Sequence, residues 1–368
     1  MLDTISNKMQ SPNIGKAGKI LALVCMSILV LIGTFFIAET IFRIRILGYR
    51  MAIRSYFHPV QQPSVLGTSD WFISDPDLNF RLNPSLPEVN KYSMLEKEIV
   101  IPKPPGITRV VILGDSVPFR GYPSLIDLLK EKYATQDGIE ILNASTPGYT
   151  TYQEMLFLEK YVLALEPDVV ILTYCLNDNY TFLHRFDKEA NMLWTEEAEK
   201  SLHIDSMYDA LINKSYFLSS LKTTLIQNNK DKKEYEYPWE NSVDFNIAWK
   251  DYSWIDFSSR LKEINTVLSK QNSRLYVVIF PLDMQLDKSL LQENYEYVTK
   301  PQREVLSYCE QYHIPCLDLF SEFYRNKLEG KQLYVDGLHL SKTGEILSSD
   351  AISTFLSKEY FTNEAHGL

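Results

Sequence analysis

Short, strongly apolar runs separated by helix-length segments constrain this chain more than any other feature. The first three runs are RVVIL, IEILN and VVILTY, and two more follow a long intervening stretch. Runs of this length rich in Val and Ile suit strands that are buried on both faces. Because helical patterns separate them, they indicate a parallel sheet with helices on both sides. The predicted strands are residues 109–113, 139–143, 169–174, 275–280 and 315–319.

Polar or small residues follow the first three predicted strands. The first strand ends in Gly114, Asp115 and Ser116, the second is followed by a loop with Gly148, and the third leads to Asn177. Ligands of open parallel sheets bind at the carboxyl ends of the strands. These residues are therefore expected at one functional edge of the sheet.

A serine at such an edge becomes a nucleophile only with a base, an acid that orients the base, and donors for the oxyanion. Asp336 stands three residues before His339 in the segment YVDGLHLSKTG. In a tight loop, this spacing can bring the carboxylate to one imidazole nitrogen while the other nitrogen faces Ser116. We therefore predict a Ser116, His339 and Asp336 triad. The remaining histidines are His58, His184, His203, His313 and His366.

Two residues are candidate oxyanion donors. Gly148 lacks a side chain, so a substrate can approach its backbone closely, and Asn177 offers a side-chain amide. Structural roles remain open for both, since turns favour glycine and an amide can brace a loop. Ser116 could likewise be only a capping hydroxyl, and His339 only a loop histidine. Asp178 is interpreted as structural.

These blocks, in this order, resemble those of the SGNH, or GDSL, hydrolase superfamily. The resemblance covers about residues 108–358. It implies a flavodoxin-like three-layer α/β/α sandwich with a mostly parallel sheet. The matching positions are Gly114-Asp115-Ser116, Gly148, Asn177-Asp178 and Asp336 to His339.

The resemblance also implies a role for each residue. Ser116 would be the nucleophile, and its own N–H would form the oxyanion hole with the Gly148 N–H and the Asn177 amide. His339 would be the general base and Asp336 its orienting acid. The reaction implied needs no metal and no cofactor.

Two positions depart from the family pattern. Cys175 stands two residues before Asn177, where the family usually has glycine, and Val117-Pro118 follows the serine where small or polar residues are more usual. Cys175 could narrow the floor of the site. The departures therefore bear on substrate preference more than on chemistry.

The N-terminus carries an apolar segment. Residues 20–38 contain no charged side chain. This segment is long enough to cross a hydrocarbon core as a helix. Phe36 spoils a small-x-small cleavage site after Ala38, and the apolar pattern continues to Phe42. We expect an uncleaved transmembrane signal anchor at 20–42, as in membrane-tethered bacterial members of the superfamily.

The orientation of this anchor depends on the charges that flank it and on the length of chain on each side. Basic residues flank it on both sides, so the positive-inside rule is nearly balanced. A short tail precedes the span, and more than three hundred residues follow it. This favours a single-pass membrane protein with its catalytic domain on the extracytoplasmic side; a cytosolic domain is the alternative.

The stretch between the third and fourth predicted strands is longer than a connection within the sheet requires. We expect this insertion to form a cap or rim. Its tryptophans are expected to pack a small core of their own, with stacking on sugars as the alternative. The charged run 228–237 is expected to be a solvated loop.

The chain is expected to have five parts. They are an N-terminal tail 1–19, an anchor 20–42, a linker or arm 43–107, a hydrolase domain 108–358 with an insertion at about 180–254, and a C-terminal tail 359–368.

Charge and cysteines exclude some functions. The net charge of −10 argues against a nucleic-acid partner. The cysteines form no CxxC pair and no metal-ligand spacing, and Cys309 and Cys316 are expected to be reduced. The expected partners are an acylated small molecule or carbohydrate and the membrane.

The expected function is that of a serine esterase that removes O-acyl, such as acetyl, groups from an envelope or exported glycan. An O-acyltransferase with the same triad is the first alternative. A catalytically inert glycan-binding or assembly protein is the second.

Overall fold

The computed structural model describes residues 16–47, 56, 70–119, 121, 123–136, 138–187, 191–201, 215, 217–218, 221 and 237–361. The chain divides into two compact units. The smaller comprises residues 1–60 and 204–232, and the larger comprises residues 61–203 and 233–368.

The larger unit is built on a five-stranded parallel sheet. The strands in chain order are β1 (Phe72–Asp75), β2 (Asn79–Leu82), β3 (Thr108–Gly114), β4 (Ile139–Ser145), β5 (Val169–Tyr174), β6 (His184–Asp187), β7 (Asn191–Trp194), β8 (Arg274–Ile279) and β9 (Cys316–Asp318). The spatial order β4-β3-β5-β8-β9 is that of flavodoxin-like sheets. The predicted α/β fold with a parallel sheet is confirmed.

The helices of the larger unit cover this sheet. Helix α3 packs against α10, and α4 packs against α6, so neighbouring crossovers lie side by side. After α4, the chain continues through irregular helical turns to Leu165. The helices are α1 (Lys16–Leu47) in the smaller unit and, in the larger unit, α2 (Ser116–Phe119), α3 (Leu125–Tyr133), α4 (Thr151–Phe157), α5 (Glu196–Ser201), α6 (Ser253–Lys270), α7 (Lys288–Val298), α8 (Lys300–Gln311), α9 (Phe320–Leu328) and α10 (Lys342–Leu356).

The central strands form the core. Every residue of β5 is buried, and in β3 only Thr108 is not. Their register places Val110 beside Val169 and Leu113 beside Leu172. Continuous apolar strands with no polar face are expected where helices cover both sides of a sheet. This explains why the apolar runs were such a clear sequence signal.

The segment before the sheet is part of the core. Strands β1 and β2 form an antiparallel hairpin, and Leu78, Phe80 and Leu82 are fully buried. The expected linker or arm therefore includes a folded hairpin within the larger unit. The sequence pattern did not predict it, because each strand has only four residues.

The insertion is divided between the two units. Residues up to 203 and from 233 belong to the larger unit, and residues 204–232 belong to the smaller one. In the larger unit, Trp239 and Trp249 are buried and stack with ring centroids 4.4 Å apart. These rings belong to the main core of the larger unit rather than to a separate core of the insertion. Only Trp194, among the described tryptophans, packs on a small separate cluster, which consists of Tyr180, Leu183, Ala198 and Ile247. Residues 228–236 of the charged run lie outside the described residues.

The smaller unit contains the long helix α1. An 18-residue window within residues 18–45 has a mean hydropathy of 2.9, which suits a membrane span or a signal sequence. Glu39 is buried, accepts a hydrogen bond from the Ser215 hydroxyl at 2.7 Å and pairs with Arg43 at 2.7 Å. Phe217 packs on Phe42 with ring centroids 5.5 Å apart. A segment of the insertion thus contacts α1 near its C-terminal end.

The chain ends depart slightly from the expected boundaries. Helix α1 extends beyond 20–42 on both sides. After α10, the chain makes one further helical turn, in which Tyr360 is buried. The expected C-terminal tail therefore begins with packed residues. Residues 1–15, 48–55, 57–69 and 362–368 lie outside the described residues.

Candidate active site

Ser116 lies at the turn between β3 and the short helix α2. Gly114 ends the strand beside Thr173 of β5; a Cβ at this position would lie 1.9 Å from the Thr173 hydroxyl oxygen. Asp115 is buried and accepts a hydrogen bond from the Val117 N–H at 2.9 Å. The close strand packing and this Asx turn present the Ser116 side chain at the strand end.

His339 and Asp336 meet Ser116 from a loop before α10. The His339 Nε2 atom lies 3.0 Å from the Ser116 Oγ atom, and its Nδ1 atom lies 2.7 Å from an Asp336 carboxylate oxygen. The other Asp336 oxygen accepts the His339 N–H at 2.8 Å. The structure thus brings together all three residues of the predicted triad.

Backbone contacts hold this loop. Tyr334 and Leu340 form an antiparallel bridge around it, and the Asp283 N–H donates to the Gly337 carbonyl at 3.0 Å. Ser341 then caps α10 through the Gly344 N–H at 3.2 Å. The Asp336 and His339 side chains are therefore held in place even though they are 53% and 42% exposed.

The loop with Gly148 lies beside the serine turn. Gly148 has φ +78°, a left-handed conformation that favours glycine. The Thr146 N–H donates to the Gly114 carbonyl at 2.9 Å, which joins this loop to the end of β3. Within the described residues, neither the Ser116 N–H nor the Gly148 N–H donates to another group, so both are available for an oxyanion.

The hairpin β1–β2 supports the same loop. The Tyr149 hydroxyl donates to the Phe80 carbonyl at 2.8 Å, and the Gln153 amide donates to the Leu78 carbonyl at 2.8 Å. Both acceptors are backbone atoms of the buried hairpin segment. The hairpin therefore helps to fix the position of Gly148, a role that the sequence alone did not indicate.

Asn177 lies in a tight turn after β5. Its side-chain amide faces the Tyr149 carbonyl at 3.4 Å, so it lies next to the Gly148 loop. Asp178 is fully buried and accepts the Cys175 N–H at 2.7 Å. Asp178 thus closes the turn that carries Asn177, in agreement with its predicted structural role.

Buried carboxyl groups lie beneath these loops. Burial raises the pKa of Asp115, whereas the hydrogen bond from the Val117 N–H and the nearby His339 act to lower it. Burial also raises the pKa of Asp178 and of Glu154, on α4, and each carboxyl disfavours ionisation of the other groups. A proton retained in this cluster relieves the repulsion. The sequence analysis missed Glu154, because an acid in a helix is usually solvated.

Cys175 directly follows β5 and precedes the turn that carries Asn177. Its side chain is buried. Burial raises the pKa of this thiol well above its ordinary value. The effect of this departure from the glycine pattern on the floor of the site stays a prediction.

A parallel α/β sheet with a serine, a histidine and a carboxylate at its edge defines a class of esterases. The profile of the GDSL-like lipase/acylhydrolase family matches residues 112–345, which is well over half of the chain. The chain belongs to this family of carboxylic ester hydrolases. The matched range includes every predicted site residue.

Comparison with other proteins gave distant matches. No curated protein matches the chain. Among solved structures, it is similar to the acetyl xylan esterase AlAXEase, with 16% identity over 67% of this chain and 98% of that chain and a TM-score of 0.43. It is also similar to a lipase/acylhydrolase from Enterococcus faecalis, with 15% identity over 68% of this chain and 95% of that chain and a TM-score of 0.40.

A third match is a two-domain esterase, CEX, active on acetylated mannans. It shares 14% identity over 68% of this chain and 49% of that chain, with a TM-score of 0.40.

Proposed function

We propose that this protein is a serine esterase in which Ser116 forms an acyl-enzyme, with His339 as general base and Asp336 as its orienting acid. The observation that carries the proposal is the continuous chain of contacts from the Asp336 carboxylate through His339 to the Ser116 hydroxyl, at 2.7 and 3.0 Å. Such a chain allows one proton to leave the serine as it attacks.

The proposed reaction has two halves. The Ser116 oxygen attacks an ester carbonyl while His339 Nε2 takes the hydroxyl proton. The carbonyl oxygen becomes an oxyanion, which accepts hydrogen bonds from the Ser116 N–H, the Gly148 N–H and the Asn177 amide. The imidazolium then protonates the leaving alcohol. Water, deprotonated in turn by His339, releases the acid and restores the serine.

Asp336 is proposed to hold the imidazole in the tautomer with Nε2 free to accept the serine proton. Burial tends to raise the pKa of Asp336, but hydrogen bonds from the His339 side chain, the His339 N–H and the Leu338 N–H outweigh it and lower the pKa. The carboxylate is therefore ionised at neutral pH and can stabilise the imidazolium.

We further propose that α1 anchors the enzyme in a membrane and that the hydrolase domain, about residues 108–358, faces the extracytoplasmic side. The partly exposed His339 and Asp336 leave one side of the site open, so a polymer could lie across it. An acylated envelope or exported glycan, with acetyl as the group removed, fits both features.

The test of the chemistry is Ser116→Ala in the full-length, membrane-inserted chain. We expect turnover of p-nitrophenyl acetate to fall about 10⁴-fold or more, since the nucleophile is lost. Ser269→Ala is the matched control, because that exposed hydroxyl bonds only to its own helix. Turnover by Ser116→Ala at the parental rate would exclude the proposed nucleophile.

Two further measurements test the finer proposals. Mass spectrometry of a glycan incubated with the enzyme should show loss of acetyl mass from an acetylated glycan; a gain of mass in the presence of an acyl donor would indicate transfer. A fluorophosphonate probe that does not cross membranes should label Ser116 on intact cells, because the domain is proposed to face outward. Labelling only after permeabilisation would reverse the proposed orientation.

A further inference from the structure

Asp244 is a carboxylate that the insertion brings to the active site. It lies in a turn held on both sides: the Asn246 N–H donates to the Ser242 carbonyl at 3.0 Å, and the Tyr180 hydroxyl donates to the Val243 carbonyl at 2.7 Å. The following helical turn, Asn246–Trp249, packs against the Leu176–Asn179 turn that carries Asn177. The position of Asp244 is therefore set by the backbone of the site.

The Asp244 side chain interacts electrostatically with the reactive groups. Its interaction partners are Asp115, next to the nucleophile, and His339. Burial and the Asp115 charge raise the pKa of Asp244 to about 6, and His339 acts in the opposite direction. At neutral pH, this carboxyl is therefore mostly ionised.

The Asp244 carboxylate has no partner of its own. Among the described residues, no hydrogen bond or ion pair reaches it, although it is half-buried. Nearby Asn246 is 1% exposed, and neither atom of its amide has a partner. Partly desolvated acceptors without donors gain free energy when a ligand supplies the donor.

We propose that Asp244 is a specificity-determining residue whose carboxylate accepts a hydrogen bond from a hydroxyl group of the substrate, close to the ester that Ser116 attacks. The inference rests on the proposed esterase function and deepens it. It assigns the substrate class as hydroxyl-rich esters, such as partly acetylated sugars, and disfavours substrates with a negative charge beside the ester.

The experiment compares Asp244→Asn with the parent on two pairs of esters. The first pair is acetylthiocholine and its neutral isostere, in which a tert-butyl group replaces trimethylammonium. The second pair is monoacetylated methyl glucoside and cyclohexyl acetate. Each pair gives a ratio of kcat/KM values, which cancels any general effect of the substitution on the triad. Asp251→Asn is the control, since that carboxylate belongs to the same insertion but is 95% exposed.

We expect Asp244→Asn to lower both ratios, each by about tenfold, and Asp251→Asn to change neither. A fall in the first ratio alone would place the charge at the site but overturn hydroxyl recognition. No change in either ratio would overturn the inference and leave the esterase function intact. Lack of turnover by the parent on all four esters would instead overturn the esterase proposal, and this inference with it.

Discussion

At the scale of single residues, the hydroxyl of the proposed nucleophile Ser116 contacts a histidine that hydrogen-bonds with a partly exposed acid. The acid of such a triad is often buried, whereas Asp336 is 53% exposed. Three donors nevertheless converge on its two oxygens, namely the His339 ring and the N–H groups of Leu338 and His339. Local backbone geometry thus replaces burial in fixing the carboxylate.

Asp336→Asn tests this arrangement at the residue scale. The amide can present its N–H to His339 Nδ1 and thereby stabilise the wrong tautomer, so we expect kcat to fall about 10³-fold with little change in KM. Steady-state kinetics on p-nitrophenyl acetate measure this. Asp350→Asn, an exposed carboxylate on α10, is the control. A kcat within threefold of the parent in Asp336→Asn would contradict the assigned role.

At the scale of secondary-structure elements, Glu345 joins two helices near the site. It lies in the first turn of α10, is 2% exposed and accepts the Leu125 N–H at the start of α3, at 2.7 Å. Burial raises the pKa of Glu345 to about 8 from an ordinary 4.5. A folded-state pKa above the unfolded one means that ionisation disfavours the fold.

This shift predicts a pH dependence of stability. The folded chain binds more protons than the unfolded chain between the two pKa values, so the contribution of Glu345 declines as pH rises from about 4.5 to about 8. The glutamine of Glu345→Gln does not ionise, so the stability of this variant should not decline for that reason as pH rises. We expect its free energy of unfolding, relative to the parent, to rise by about 4 kcal/mol across this window.

Denaturant titrations of both proteins at several pH values measure this difference. Glu159→Gln, at an exposed position, shows the effect of removing one surface charge. A difference between Glu345→Gln and the parent that stays constant with pH would show that Glu345 is not held protonated by the fold.

Also at this scale, the strands were predicted more closely than the segments between them. The five sheet strands lie within three residues of their predicted positions, because uninterrupted Val and Ile runs are a local signal of double-sided burial. The hairpin β1–β2 was not predicted. Its stability derives from packing on distant residues, such as Tyr149 and Gln153, and local sequence does not encode such contacts.

At the scale of the whole molecule, the insertion has more than one structural role. Within the smaller unit, Glu39 of α1 accepts hydrogen bonds from the Ser215 hydroxyl and, at 3.0 Å, from the Phe217 N–H. Removing a buried carboxylate destabilises the fold when its hydrogen-bond donors remain without an acceptor. This contact should therefore hold Ser215 and Phe217 against α1.

Glu39→Ala tests this role. We expect limited proteolysis of the membrane-inserted chain to cleave near Ser215 and Phe217 several-fold faster than in the parent, because the Ser215 hydroxyl and the Phe217 N–H lose their acceptor. Ser27→Ala, an exposed change on the same helix, is the control. Equal cleavage rates in Glu39→Ala and the parent would show that the contact does not hold Ser215 and Phe217 in place.

The sequence by itself determined the parallel sheet and the candidate triad, because local patterns encode strand burial and the residues at strand ends. The flavodoxin-like architecture was implied by the resemblance to the SGNH superfamily. Only the tertiary structure decided that Ser116, His339 and Asp336 come within hydrogen-bonding distance, since Ser116 and His339 are 223 residues apart in the chain. It also buried Cys175 after β5 and packed the turn that follows Asp244 against the turn that carries Asn177. These positions depend on which surfaces pack together, and a pattern read along one strand or helix does not contain that information.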